Sequence, residues 1–156
     1  MKLLVFSDSH GTTYSIDAAM QQEGHADAIV FCGDIARDAD YIRERYPNIA
    51  LYAVRGNNDF FCDDPYVLMP EWEDIRIYIT HGHRERVKFG LHELAQQCRQ
   101  NHCQLALFGH THTPFDGEVG GVHLINPGSI RSSRGTYARI EINHGSISAE
   151  ILSPEL

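Results

Sequence analysis

Apolar residues in this chain fall into short blocks, and the spacing inside each block predicts an element. KLLVF (2–6), AIVFC (28–32), ALYAV (50–54) and LALF (105–108) are continuous runs of strand length. Between the first three, Ile16, Ala19 and Met20 repeat at helical spacing, and DADYIRERY (38–46) reads as a weaker helix that stops at Pro47. Continuous apolar strands alternating with helices predict a parallel sheet covered on both faces. IRIYIT (75–80) alternates with period two and predicts a half-buried strand. Leu91, Leu94, Ala95 and Cys98 mark one more helix. VHLIN, YARIEI and SISAEIL then follow as late strands, and NHG between the last two is a hairpin signal. Helices early and antiparallel strands late predict an α/β fold of two packed sheets flanked by helices.

A chain of 156 residues suits a single domain, 1–156, around one core. No apolar run approaches the roughly 20 residues of a membrane span. The opening MKLLVFSDSH has only about five apolar residues before it turns polar, too short for a secretory h-region, so a cytoplasmic protein with no membrane partner is expected. The four cysteines, Cys32, Cys62, Cys98 and Cys103, show no CxxC spacing and read as reduced packing thiols. The net charge of −8 and the lack of a basic run argue against long nucleic acid as a partner. A small anion drawn to a local positive site remains compatible with them.

Polar residues gather where the strands end. SDSH follows the first, with Asp8 and His10; GD follows the second, with Asp34. GNND follows the third, THGH the fourth and GHTH the fifth, carrying Asn57, Asn58, His81, His83, His110 and His112. Ligands of open α/β sheets bind beyond the carboxyl ends of strands. If these segments are extended, residues two apart point the same way, which would aim Asp8 with His10 and His110 with His112. Glycines beside four of the sites (33, 56, 82 and 109) would allow sharp turns or close approach. One such Asp or His is ordinarily a cap or a solvated turn; five in series are not. Asp, Asn and His without clustered Cys form a nitrogen–oxygen set suited to manganese, iron, cobalt, nickel or zinc. Seven side chains exceed one ion and match two ions sharing a carboxylate.

In this order DSH, GD, GNND, HGH and GHTH resemble the five motifs of the calcineurin-like metallophosphoesterase superfamily, and INPGSI (125–130) resembles a segment of its small bacterial and archaeal phosphodiesterase branch. The resemblance runs nearly end to end. It implies a four-layer α/β/β/α sandwich of two mixed sheets and a dinuclear centre, with manganese the first choice of metal. By motif position, Asp8, His10 and His112 would hold one ion, Asn57, His81 and His110 the other, and Asp34 would bridge them. Two divalent ions against two carboxylates and a bridging hydroxide leave net positive charge for a phosphate ester. That hydroxide is the expected nucleophile in a phosphodiester hydrolysis.

Asn58 stands where many members of the superfamily carry a histidine that resembles a general acid; the small-phosphodiesterase branch commonly has cysteine there. An amide cannot donate a proton at neutral pH, so slow turnover of alkyl esters and better turnover of acidic leaving groups are expected. His83 is the candidate substitute donor, with an orienting role as the alternative. Arg37, Arg55, Arg131 and Arg134 flank the motifs as candidate phosphate ligands, and surface or salt-bridge roles suit each as well. Trp72 and Tyr78 suit core packing, and His25, His92, His102, His123 and His144 suit the surface or packing. No long insertion separates the motifs, so specificity would be broad or set by a partner subunit, and a homo-oligomer is compatible. The other readings are a phosphomonoesterase or nucleotide pyrophosphatase on the same ions, and a scaffold resembling the eukaryotic retromer subunit.

Overall fold

The computed structural model describes residues 1–131 and 134–156. Its elements run β1 (Lys2–Phe6), α1 (Thr13–Glu23), β2 (Ala28–Phe31), α2 (Ala36–Arg45), β3 (Ala50–Ala53), β4 (Val67–Leu68), β5 (Glu71–Trp72) and β6 (Ile75–Thr80). They continue with a 3-10 turn (Val87–Phe89), α3 (His92–Gln100), β7 (Leu105–Leu107), β8 (Phe115–Val119), β9 (Val122–Asn126), β10 (Tyr137–Asn143) and β11 (Ser146–Leu152).

One sheet has the order β11-β10-β1-β2-β3, with β1, β2 and β3 parallel and β10 antiparallel to β1. The other has the order β4-β6-β7-β9-β8, with β6, β7 and β9 parallel and the edge strands antiparallel. Both sheets are therefore mixed. Alternation within each strand builds the layers. Leu3 and Val5 of β1, Ala28 and Val30 of β2, Ile75, Ile77 and Ile79 of β6 and Leu105 and Leu107 of β7 meet in the core between the sheets. Leu4, Phe6, Ile29 and Phe31 face the other way, onto Ile16, Ala19 and Met20 of α1 and Ala39 and Ile42 of α2. Tyr78, Ala106 and Leu124 face Leu94, Ala95 and Cys98 of α3. The result is helix, sheet, sheet, helix.

Four details differ from the sequence pattern. IRIYIT is buried along nearly its whole length because α3 covers its polar face: Tyr78 and Thr80 donate to the buried Glu85 at 3.2 and 3.0 Å. Tyr78 thus belongs to the core, and Trp72 packs edge-on against Tyr52 at 4.7 Å. VHLIN is not an antiparallel newcomer but runs parallel to β7. Its hairpin partner β8, FDGEV, gives no strand signal in the sequence, since Asp and Gly are poor strand formers and its side chains are half exposed. The short β4 and β5 also carry no pattern long enough to read. The NHG turn does form a hairpin, with His144 and Gly145 both at positive φ and Asn143 opposite Ser146. Cys32, Cys98 and Cys103 are buried free thiols, and Cys62 is a half-buried one. No helix among the described residues is long and apolar enough to cross a membrane.

Candidate metal centre

The parallel strands of both sheets deliver their carboxyl ends to one place. Asp8 and His10 follow β1, Asp34 follows β2, and Asn57 follows β3, all in the first sheet. His81 follows β6, and His110 and His112 follow β7, in the second. Backbone bonds close the seam between strands: Asp8 N donates to Gly33 O at 2.9 Å, and Gly109 N to His81 O at 2.9 Å. Across the sheets, His110 N donates to Asp8 Oδ2 at 3.1 Å.

The side chains do not converge through pleated strand geometry. Asp8, His10, Asp34, His110 and His112 all lie at positive φ, between 40° and 72°. Non-glycine residues in this region cost of order 1–3 kcal/mol each and cluster at functional sites. The chain turns sharply at these five of the seven candidate positions, and these turns aim the side chains inward. Close packing helps: a methyl added at Gly56 would stand 1.9 Å from Asp34 Oδ1, and one at Gly109 2.0 Å from Ser7 Oγ. Only glycine lets the two carboxylates sit this deep.

Two groups of donor atoms lie within 4.8 Å of one another: Asp8, His10 and His112, and Asp8, Asp34 and His81. Asp8 is fully buried, and its Oδ2 accepts from Ser7 Oγ at 2.6 Å. Its Oδ1 has no hydrogen bond, although His112 Nε2 approaches to 3.2 Å outside bonding geometry. His10 Nε2 is likewise buried without a partner. The rings of His10 and His112 are 5.4 Å apart, and those of His81 and His110 5.0 Å.

His81 decides what the cluster can hold. Its Nδ1 lies 2.7 Å from the carbonyl oxygen of Cys32, which can only accept, so Nδ1 carries the proton. In the neutral ring Nε2 then presents a lone pair. That lone pair faces Asn57 Oδ1 at 3.0 Å, Asp34 Oδ2 at 3.5 Å and Asp8 Oδ1 at 3.9 Å. A nitrogen lone pair and three oxygen acceptors around one point repel, and a proton on Nε2 or a metal cation among them would relieve the repulsion. The residues present therefore fit divalent metal, and the Cys32 carbonyl is the orienting partner such a histidine needs. Burial and the neighbouring His81 hold His110 neutral, its pKa pulled down to about 4, which leaves its ring free to ligate. Burial, with His81 nearby, lowers His83 as well.

The other sequence candidates separate. Asn58 donates to Asp34 twice, from Nδ2 to Oδ2 at 2.8 Å and from its backbone N to Oδ1 at 3.1 Å. His83 lies beside the histidine cluster, 5.5 Å from the His81 ring, with a buried Nδ1 that has no partner. Arg37 is exposed and reaches toward Gly11. Arg55 braces its own loop, donating to the carbonyls of Asp59 at 2.7 Å and Cys62 at 3.3 Å. Arg131 is exposed, and its backbone is tied to Ser129 Oγ and Thr12 Oγ1. Arg134 is exposed too.

A supporting ring escapes the motif reading. Buried Asp59 accepts from Gly56 N and from Ala36 N, both at 2.7 Å, and so locks the Asn57 loop to the start of α2. Asp38 accepts from Ser9 Oγ at 2.5 Å and Gly11 N at 2.7 Å around the Asp8–His10 turn. Asn126, fully buried, donates to Gly109 O at 3.1 Å and Thr111 Oγ1 at 3.0 Å, holding the His110–His112 turn. Ser129 Oγ donates to Asp8 O at 2.8 Å. Asp59 closes the GNND motif, and Asn126 and Ser129 lie in INPGSI, so the signal was present; their partners were not.

Comparison with known proteins places this geometry. The model of the calcineurin-like phosphoesterase superfamily domain matches residues 1–145. A probable metallophosphoesterase of Bacillus subtilis is 32% identical over 136 residues, 86% of this chain and 78% of its own length. A phosphodiesterase of Escherichia coli is 28% identical over 158 residues, covering 86% and 82%. Among solved structures, a conserved Streptococcus pneumoniae protein described as a predicted phosphoesterase superposes with a TM-score of 0.81 at 28% identity, over 98% of this chain and 89% of that one. Vps29 of Entamoeba histolytica, solved with zinc, shares the fold with a TM-score of 0.76 at 22% identity, over 99% and 100%.

Proposed function

The chain belongs to the calcineurin-like phosphoesterase superfamily, and on that basis we propose that it is a metal-dependent hydrolase of phosphodiesters with two divalent ions, manganese first among them. The observation that carries the reading is the lone pair of His81 Nε2 facing the oxygens of Asn57, Asp34 and Asp8. The relatives named phosphodiesterase and metallophosphoesterase support it.

Asp8, His10 and His112 would hold one ion, and Asn57, His81 and His110 the other, with Asp34 between them. Bound there, the ions would supply positive charge for the phosphoryl oxygens and a water whose pKa falls from 15.7 to about 7. The chain's own part is to fix the donors and to keep them unprotonated. Asn58 holds both oxygens of Asp34 in place, which gives the amide a task other than proton donation. With no strong acid at that position, the leaving group must depart largely on its own. His83, with its ring 5.5 Å from that of His81, is the candidate to hand it a proton. The partner is a small phosphate ester, reached from solvent past the exposed Asn57 and Asn58.

The reading is tested with bis(p-nitrophenyl) phosphate and metal-stripped protein, with and without manganese. Turnover that requires the metal and is lost in Asp34→Asn is expected, and it should exceed turnover of p-nitrophenyl phosphate. No turnover with manganese bound would refute the diesterase reading and point to a different ester or a metal-binding scaffold.

A further inference from the structure

The rim beside His83 carries cations that the proposed hydrolysis does not use. The guanidinium carbons of Arg55 and Arg84 lie 4.8 and 4.4 Å from the ring centroid of Tyr66. That ring is itself 5.8 Å from His83, which is 6.2 Å from His110. Two guanidiniums sharing one ring at these distances stand within a Debye length, about 10 Å at 0.1 M salt, so their repulsion is not screened away. Among the described residues no carboxylate pairs with Arg84, whereas its neighbour Arg86 pairs with Glu93 at 3.6 Å. Arg55 has spent its terminal nitrogens on carbonyls, and its Nε is buried with no acceptor. A chain of net charge −8 has thus placed two cations, without acidic partners among the described residues, around the His83 side of the site.

We propose that Arg84, Arg55 and Tyr66 form a second phosphate site, so that the preferred substrate carries a further phosphate beside the one that is cleaved. The aromatic ring holds Arg84 as a platform through cation–π contact and leaves its N–H edge for phosphate oxygens, while Arg55, committed to the Asp59 and Cys62 carbonyls, adds its charge. With guanidiniums over it, Tyr66 is not a stacking surface for a base, so recognition is by charge and not by base identity. Arg84 is the specificity residue of this arrangement: it is exposed, stacks on the Tyr66 ring, and among the described residues makes no hydrogen bond or salt bridge. The inference rests on the phosphodiesterase reading for the identity of the first phosphate.

The probes are thymidine 5′-monophosphate and thymidine 3′,5′-bisphosphate, titrated calorimetrically into manganese-loaded protein. The bisphosphate should bind about tenfold tighter or more, the size expected for a hydrogen bond to a charged group. Arg84→Ala should bring the two affinities together, and Arg84→Lys should restore part of the difference. Equal affinities in the unaltered protein would overturn the inference, and so would a preference that survives Arg84→Ala. Hydrolysis of bis(p-nitrophenyl) phosphate, run on the same preparation, separates the two failures. Its absence defeats the diesterase reading, while the affinity ratio still decides the second phosphate site.

Discussion

Asn57 and Asn58 are neighbours with opposite tasks. Asn57 Oδ1 points at His81 Nε2 at 3.0 Å, as a ligand oxygen should. Asn58 turns its amide hydrogen to Asp34 Oδ2 at 2.8 Å. Removing such an orienting bond typically costs 10–100-fold in metal affinity. Asn58→Ala should therefore weaken manganese binding by about that factor in calorimetry, and an unchanged affinity would show that Asp34 needs no support. Protonation gives a second expectation at this scale. His110 has its pKa near 4 in the folded protein, below the ordinary 6.5, so the unfolded chain binds the extra proton between those values. The metal-free protein should then gain stability as pH rises from about 4 to about 6.5, because unfolding there takes up a proton. His83, lowered in the same direction, adds to the effect. Melting temperature measured against pH in a chelator tests this, and His110→Gln should flatten the slope. A third prediction concerns the leaving group. His83→Ala should reduce turnover of alkyl diesters more than that of bis(p-nitrophenyl) phosphate, since general acid catalysis is worth about 10²–10⁴-fold where the leaving group is poor. Equal losses on both would leave His83 an orienting residue.

Buried polar residues brace the loops that carry the candidate ligands: Asp38 the Asp8–His10 turn, Asp59 the Asn57 loop and Asn126 the His110–His112 turn. Asp59 ties the loop after β3 to the N-terminus of α2, and Asp59→Ala would leave the N–H groups of Gly56 and Ala36 without acceptors. At about 1–3 kcal/mol for each stranded donor, the variant should melt well below the parent. Calorimetric melting of the metal-free forms checks it, and an unshifted transition would mean that water replaces the carboxylate. The long apolar strands and the NHG hairpin were legible because period and turn chemistry are local properties. Even IRIYIT was legible as a strand, though not its burial, because the cover comes from α3 and from Glu85. The hairpin partner FDGEV and the two-residue strands were not, since nothing but tertiary pairing makes them strands. The candidate ligands were picked from strand-end residues, and five of them fall into two donor groups, but the reason offered for their convergence was mistaken. Extended pairs do not aim Asp8 with His10 or His110 with His112; left-handed turns do, and no single sequence announces a positive φ at aspartate or histidine.

Over the whole molecule, two mixed sheets present their parallel strands in the same direction, and the centre sits across the seam between them. Asp8 from the first sheet accepts from His110 N of the second, so the packing of the sheets and the geometry of the site are one problem. Bound metal should accordingly stabilise the fold. At a free concentration 100 times its Kd, one bound ion adds about 2.7 kcal/mol, enough for a clear upward shift in melting. The central claim is that seven side chains form a centre for two ions. Anomalous diffraction at the manganese edge, on crystals grown with the metal, tests it most directly. Two peaks per chain are expected, one among Asp8, His10 and His112 and one among Asn57, His81 and His110, with Asp34 touching both. A single peak, or none at these residues, would contradict the account.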